Sequence, residues 1–256
     1  MGQELFIAVG LFAGLCIALE IGFRFGRSAK KAREGTGGGQ IGSVQGAVLG
    51  LLGLLLGFSF AGAQARFLER QDLITTEANA IGTAYLRADM LDEPHRSALR
   101  TAIHRYTEHR IAASPYLSST NMAEVFAESD RLQNDVWRTA AAGCNAKPSV
   151  LLIVLPPVND LIDIHSLRIA AGRKHLPGLV LGLLFGSSLL AMFVMGYGSG
   201  FAGRRMELLN ASLMLLVGIA LWTTVDLDHP RAGLLQLSDE PLKAIRFDAP
   251  PPKPGS

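Results

Sequence analysis

The sequence has 256 residues, of which 49% are hydrophobic and only 18% are charged, and its formal net charge is +2. Soluble domains usually carry about 25% charged residues, so this composition indicates a protein that contacts membrane lipid. So small a positive charge gives no support for nucleic acid as a partner, and two cysteines are too few for a disulfide framework.

Four apolar segments are long enough to cross the hydrocarbon core as helices, which takes about 20 residues each. They are residues 5–23, 41–63, 179–197 and 206–225. The first is not a signal peptide, because its basic residues follow the apolar stretch instead of preceding it. We therefore predict an all-α, polytopic membrane protein with four transmembrane helices and an inserted soluble helical bundle.

The predicted organisation has four parts. Residues 1–63 form the first transmembrane pair, 64–175 the soluble bundle, 176–225 the second pair and 226–256 a C-terminal tail whose Pro-rich end is disordered. Residues 64–91 contain no proline, so the second span is expected to continue as one helix into the bundle. Further bundle helices are predicted at 95–113, 122–142 and 158–173. The first of them is predicted to carry Leu99, Ile103 and Tyr106 on its inner face. The apolar run 150–155 is too short to span and is predicted to be buried or interfacial.

Basic residues in the short loops predict the orientation in the membrane. Five Lys or Arg residues lie within residues 24–33, and Arg204 and Arg205 lie in the loop between the last two spans. Such loops stay in the cytoplasm. The N-terminus, the bundle and the C-terminus are then expected in the periplasm, if the membrane is a bacterial inner membrane.

Small residues recur at steps of three or four along the second span, and so lie on one helical face. The row consists of Gly42, Gly46, Gly50, Gly53, Gly57, Ala61 and Gln64. Glycine is costly in a helix and gives lipid no side chain to pack on, so a whole face of it needs a reason. One reason is close packing between helices. The other is that copies of the helix surround an axis, where the row borders a path for ions.

Three charges follow the second span directly: Arg66, Glu69 and Arg70. If the helix oligomerises, they could form a charged collar around the axis. Taken singly, they are typical of residues that anchor a helix at the lipid headgroups.

No group of residues in the bundle indicates catalysis. His104 and Glu108 share a helix face, but two ligands do not make a metal site. The sequence contains no phosphate-binding loop, nucleophile elbow or paired-cysteine motif. His109 lies off that face. The remaining histidines have no companions at ligand spacing: His95, His165, His175 and His229. We therefore expect no catalytic residue, no metal and no cofactor.

Two passages of the chain carry a family resemblance. Residues 50–91 contain the elements Gly57-Phe58-Ser59, Arg66-Phe67, Glu69-Arg70, Glu77-Ala78-Asn79 and Gly82-Thr83, and residues 226–242 read DLDHPRAGLLQLSDEPL. Together they resemble the bacterial bestrophin-like membrane proteins. More distantly, they are similar to the bestrophins, pentameric anion channels whose second membrane helix lines the pore.

The resemblance implies a homo-oligomer that passes small ions along an axis lined by the second span. It places a constriction at Gly57, Phe58, Ser59 and Phe60. Arg66 and Arg70 would lie at the mouth and favour anions. Bestrophins hold their helical domain in the cytosol, whereas the basic loops here predict the opposite side. The alternative function is a non-conducting scaffold or sensor, in which the row only packs helices and the bundle binds a partner.

Overall fold

The structure is a computed structural model that describes residues 2–32, 38–113, 122–205, 207–230 and 234–247. Within these ranges the chain forms helices and no strand, which confirms the predicted all-α class. The α-helices in chain order are α1 (Gly2–Ala32), α2 (Gly38–Arg87), α3 (His95–Ala113), α4 (Met122–Ala146), α5 (Leu151–Arg173), α6 (Gly178–Ala202), α7 (Glu207–Asp228) and α8 (Glu240–Lys243).

Four helical segments of the described chain are long and apolar enough to cross a membrane. They are Val9–Lys31 in α1, Gln40–Met90 in and just after α2, Pro148–Ala202 in α5 and α6, and Glu207–Asp228 in α7, and they overlap the four predicted spans. The second span does continue without a break, because α2 runs for 50 residues. Near the C-terminus, residues 240–243 form the short helix α8.

The chain divides into two compact units. The membrane unit comprises residues 1–67 and 175–236, and the bundle unit comprises residues 68–174 and 237–256. Helix α2 contributes to both units. The predicted tail, 226–256, is divided between them, and its Pro-rich end lies outside the described residues.

Helices α1 and α6 of the membrane unit cross at backbone distance. A Cβ added at Gly22 or Gly26 of α1 would lie 2.0 Å from a carbonyl oxygen of α6. One added at Gly196 or Gly200 of α6 would lie within 2.1 Å of a carbonyl oxygen of α1. Only glycine permits this approach, which is how small residues join transmembrane helices. The rest of this core is aliphatic: Leu15, Leu52, Leu184, Ala191, Met192, Val217 and Leu221.

The bundle unit is built around one core to which α3, α4, α5 and the second part of α2 contribute. The predicted inner face of α3 is confirmed, since Leu99, Ile103 and Tyr106 are all buried. Helical periodicity predicted these positions because one face of an amphipathic helix must be apolar to be buried.

Helix α5 begins earlier than predicted. It starts at Leu151 instead of residue 158, and it includes residues 151–155 of the short apolar run as well as two prolines. Pro157 has no N–H, so the carbonyl of Ile153 loses its helical donor. The Arg87 guanidinium donates to that carbonyl at 3.0 Å, which compensates for the loss.

Candidate functional site

The row of small residues on α2 is exposed in the single chain. Every member from Gly42 to Gln64 is exposed to solvent or lipid. At the five glycines of the row, no atom from elsewhere in the described chain lies within 4 Å of the position that a Cβ would occupy. Within the described residues, the row therefore packs against nothing.

The other side of α2 holds the helix in the membrane unit. Leu52 and Ala63 are buried there. The Gln45 side-chain amide donates to the carbonyl of Val194 in α6 at 3.1 Å. The orientation of α2 is thus fixed by contacts that leave the glycine row pointing out of the unit.

The residues predicted to form a constriction lie on different sides of α2. Phe60 follows Gly53 by seven residues and Gly57 by three, so it shares the register of the row, and it is 39% exposed. Phe58 is 71% exposed and lies on the flank of the row. Ser59 is buried on the packed side, away from the row.

Arg66 is bound inside the membrane unit. Its Nε donates to Oδ1 of Asp228 at 3.0 Å. Asp228 is 1% exposed, and its Oδ2 accepts the backbone N–H of Leu176 at 2.9 Å. A carboxylate at the C-terminal end of α7 is opposed by the helix dipole, and Arg66 offsets this repulsion. The guanidinium predicted as a mouth charge is therefore half-buried and paired.

Arg70 is likewise engaged within the chain, in the bundle unit. Its guanidinium donates to the carbonyls of Ala171 and Lys174. These groups lie at the C-terminal end of α5, where no helical N–H is available to them. Arg70 thus caps α5. The neighbouring Glu69 accepts from Nζ of Lys174 at 2.9 Å in an exposed ion pair.

The most deeply buried charges of the bundle surround Glu77, which is 0% exposed. Arg110 donates through Nε to its Oε1 at 3.0 Å, and Arg168 donates to its Oε2. The Tyr106 hydroxyl also donates to Oε1, at 2.7 Å, and accepts from the Gln133 amide. One carboxylate on α2 therefore joins α3, α4 and α5.

This environment fixes the protonation of the cluster. Burial alone would raise the pKa of Glu77, but Arg110 and Arg168 outweigh it and lower that pKa to about 2. Burial and the Glu77 charge raise the pKa of Tyr106, which remains a hydroxyl donor. Burial, followed by Arg110, lowers the pKa of His165 to about 4, so its ring is neutral at pH 7. The ionised carboxylate and the two guanidiniums therefore form a buried cluster of ion pairs that stabilises the bundle.

Side chains bind the C-terminal segment at three places. The first is the ion pair between Arg66 and Asp228. In the membrane unit, the Asp226 carboxylate accepts the N–H groups of Leu234 and Leu235 at 3.0 and 2.9 Å. In the bundle unit, the Gln71 amide accepts the N–H of Ser238 at 2.8 Å and donates to its carbonyl at 3.0 Å. The two sequence passages that carry the family resemblance are thus in direct contact.

Three of these features were not predicted from the sequence. The partners of Glu77 and the role of Asp228 have no local signal, because their contacts join residues far apart in the chain. The close approach of α1 and α6 does have one, since Gly22-x-x-x-Gly26 and Gly196-x-x-x-Gly200 repeat the spacing that was noted on α2.

A family model described as a bestrophin-like domain matches residues 8–242, which is nearly the whole chain. The chain belongs to the bestrophin-like family. No curated protein and no solved structure matches it. The resemblance identified from residues 50–91 and 226–242 is thereby confirmed. With four apolar helices, this bestrophin-like chain is a membrane protein in contact with lipid.

Three residues of the elements quoted for the bestrophin-like resemblance now have physical roles. Arg66 joins α2 to the end of α7, Arg70 caps α5, and Glu77 joins the helices of the bundle. Each of these contacts stabilises a single chain. The glycines of the row that lie in the passage 50–91, Gly50, Gly53 and Gly57, have no such contact within the described chain.

Proposed function

We propose that copies of this bestrophin-like protein assemble into a closed ring in the membrane, with the glycine row of α2 facing the axis, and that ions pass along this axis. The supporting observation is the exposure of the whole row on a transmembrane helix whose other side is packed. The proposed function is passive conduction and involves no catalysis.

The cost of the row supports this proposal. Each glycine in a helix costs about 0.5–1 kcal/mol relative to alanine. A lipid-facing surface gains nothing from glycine, because a leucine would pack against acyl chains at no such cost. Around an axis the row has a use, because small residues let the backbones of neighbouring copies approach closely and still leave a path between them. Identical subunits that contact one another in a membrane or in solution usually form a closed ring or another closed symmetric assembly.

The residues at the end of the row suggest how conduction is gated. Phe60 lies in the register of the row and is exposed, so a ring of Phe60 side chains would close the axis by excluding water. Gln64 follows one turn later and offers a polar group. Since Arg66 and Arg70 are both engaged within the chain, we expect only a weak preference for anions.

Replacing Gly53 by leucine tests the assembly. A leucine there occupies the centre of the row, so we expect Gly53→Leu to abolish the oligomer seen by native mass spectrometry in detergent, together with ion conductance in planar bilayers. Gly186→Leu is the matched control, because Gly186 lies on α6 with nothing within 4 Å of its added Cβ. That variant should keep both properties. An intact oligomer that conducts no ions over a range of salts and voltages would contradict the channel.

We also propose a bacterial inner membrane with the bundle in the periplasm. Lys30 at the end of α1 donates to the carbonyl of Ala202 in α6 at 3.1 Å, so the basic ends of both helix pairs share one end of the membrane unit. Basic loops of this kind remain in the cytoplasm.

Cysteine labelling tests this orientation in a chain without its two native cysteines. A membrane-impermeant maleimide should label Asp130→Cys in intact spheroplasts, because Asp130 is exposed in the bundle unit. Arg204→Cys should react only after lysis. The reverse pattern would place the bundle in the cytoplasm.

A second candidate function is a non-conducting scaffold or sensor whose bundle binds a partner. The engagement of Arg66 and Arg70 favours it, because it removes the charges that would attract anions to a mouth. The Gly53→Leu experiment separates the two candidates. Loss of assembly, without conductance in the parent protein, would support the scaffold.

A further inference from the structure

Two histidines from distant parts of the sequence stack on each other in the membrane unit. His175 precedes α6 and His229 follows α7, and their ring centroids lie 4.8 Å apart at an interplanar angle of 11°. The buried Asp228 lies beside them. One ligand atom from each of the three residues lies within 4.8 Å of the other two. We propose that His175, Asp228 and His229 bind a divalent transition-metal ion of the zinc class.

The distance between His175 and Asp228 suits such an ion. Nδ1 of His175 lies 3.4 Å from Oδ2 of Asp228. Two ligands at about 2.0–2.1 Å from a tetrahedral zinc ion are separated by about 3.4 Å. Nδ1 of His175 also lies 3.1 Å from the backbone carbonyl of Asp228, which can only accept, so binding through this atom requires the ring proton on Nε2. With that tautomer, the two atoms can share one ion with little movement of either side chain.

His229 is suited to supply the third ligand. Its Nδ1 lies 3.2 Å from the carbonyl of Val225, which can only accept, so the tautomer with the proton on Nδ1 is the one that forms this hydrogen bond. Nε2 then keeps its lone pair. A metal-binding histidine usually donates its other ring N–H to such a carbonyl, which fixes the tautomer. The ring is exposed, so it can adjust to close the site around an ion entering from solvent.

The donor set selects the class of metal. Two imidazoles and one carboxylate suit zinc, nickel or copper, whereas calcium and magnesium prefer all-oxygen sites. Three protein ligands leave one tetrahedral position for water. Arg66 takes part of the Asp228 charge through Oδ1, so the affinity should be moderate. A bound ion would join the end of α7 to the segment that leads into α6.

Isothermal titration with zinc chloride tests the site. The full chain is used in detergent, purified without a polyhistidine tag. We expect one zinc ion per chain and a dissociation constant that rises at least tenfold in each of His175→Ala, His229→Ala and Asp228→Asn. His104→Ala is the matched control and should bind as the parent does, because that half-exposed histidine pairs only with Glu108 among the carboxylates of the described chain. Absence of zinc binding by the parent, or equal binding by all variants, would overturn the proposal.

A measurement on the parent protein avoids any dependence on the folding of the variants. X-ray absorption of the zinc-loaded chain should show two imidazole ligands and only nitrogen or oxygen in the first shell. Fewer than two imidazoles, or a sulfur ligand, would refute the assignment. Neither experiment requires assembly or conductance, so the metal site and the proposed channel succeed or fail separately.

Discussion

The bundle unit is expected to lose about 3–5 kcal/mol of stability when Glu77 is replaced by glutamine. Glutamine has nearly the same shape as glutamate and can still accept a hydrogen bond from Tyr106. It cannot offset the positive charges of Arg110 and Arg168, which are both buried. Two unpaired guanidiniums would then remain in the interior, and this desolvation cost is the source of the expected loss.

Urea unfolding of the full chain in detergent measures this loss. Trp137 belongs to α4 of the bundle, so its fluorescence reports on this unit when the other tryptophan is removed by Trp222→Phe. Glu69→Gln is the matched control, because Glu69 forms an exposed ion pair with Lys174. Exposed pairs contribute at most about 1 kcal/mol. A Glu77→Gln variant as stable as this control would show that the buried cluster does not hold the bundle together.

The same carboxylate predicts how stability depends on pH. The pKa of Glu77 is about 2 in the folded chain, against 4.5 for an unperturbed glutamate. A depressed pKa stabilises the fold above pH 4.5, and the contribution is lost as the pH falls from 4.5 through 2. The difference corresponds to about 3 kcal/mol. We therefore expect the parent to lose more stability than Glu77→Gln over this range, with urea midpoints at successive pH values as the measurement.

The four spans and the long α2 helix could be predicted because their signals are local. Crossing a membrane requires an uninterrupted apolar length, and that length is visible in the sequence without any knowledge of neighbours. The inner face of α3 was predicted for a similar reason. The start of α5 was not, because prolines normally end a helix, and the Arg87 contact that satisfies the carbonyl of Ile153 comes from another helix.

The polar contacts of the chain could not be predicted for a related reason. Arg66 and Asp228 are 162 residues apart, and Glu77 and Arg168 are 91 residues apart. No periodicity links such positions. The pairing of His175 with His229 was missed in the same way, since a search for ligand spacing along one helix cannot detect residues that only the fold brings together.

Replacing both Gly22 and Gly26 by alanine is expected to destabilise the membrane unit by several kcal/mol. The new methyl groups would lie 2.0 Å from carbonyl oxygens of α6, so α1 and α6 must separate. Overpacking at one site typically costs about 1–3 kcal/mol, and the backbone on the other side cannot yield as a side chain can. Thermal unfolding in detergent should show a clearly lower midpoint for the double variant than for the parent.

The same double substitution on the row of α2, Gly46→Ala with Gly50→Ala, is the control. No atom lies within 4 Å of either added Cβ, and alanine favours the helix by up to about 1 kcal/mol at each position. The single chain should therefore be as stable as the parent or more so. If copies of the chain contact one another through the row, however, these methyl groups should weaken assembly in native mass spectrometry. The same change from glycine to alanine is thus expected to destabilise the single chain when it is made on α1. When it is made on α2, it is expected to weaken assembly and to leave the single chain stable. Unchanged assembly in the α2 variant would show that contacts between copies do not depend on these two glycines.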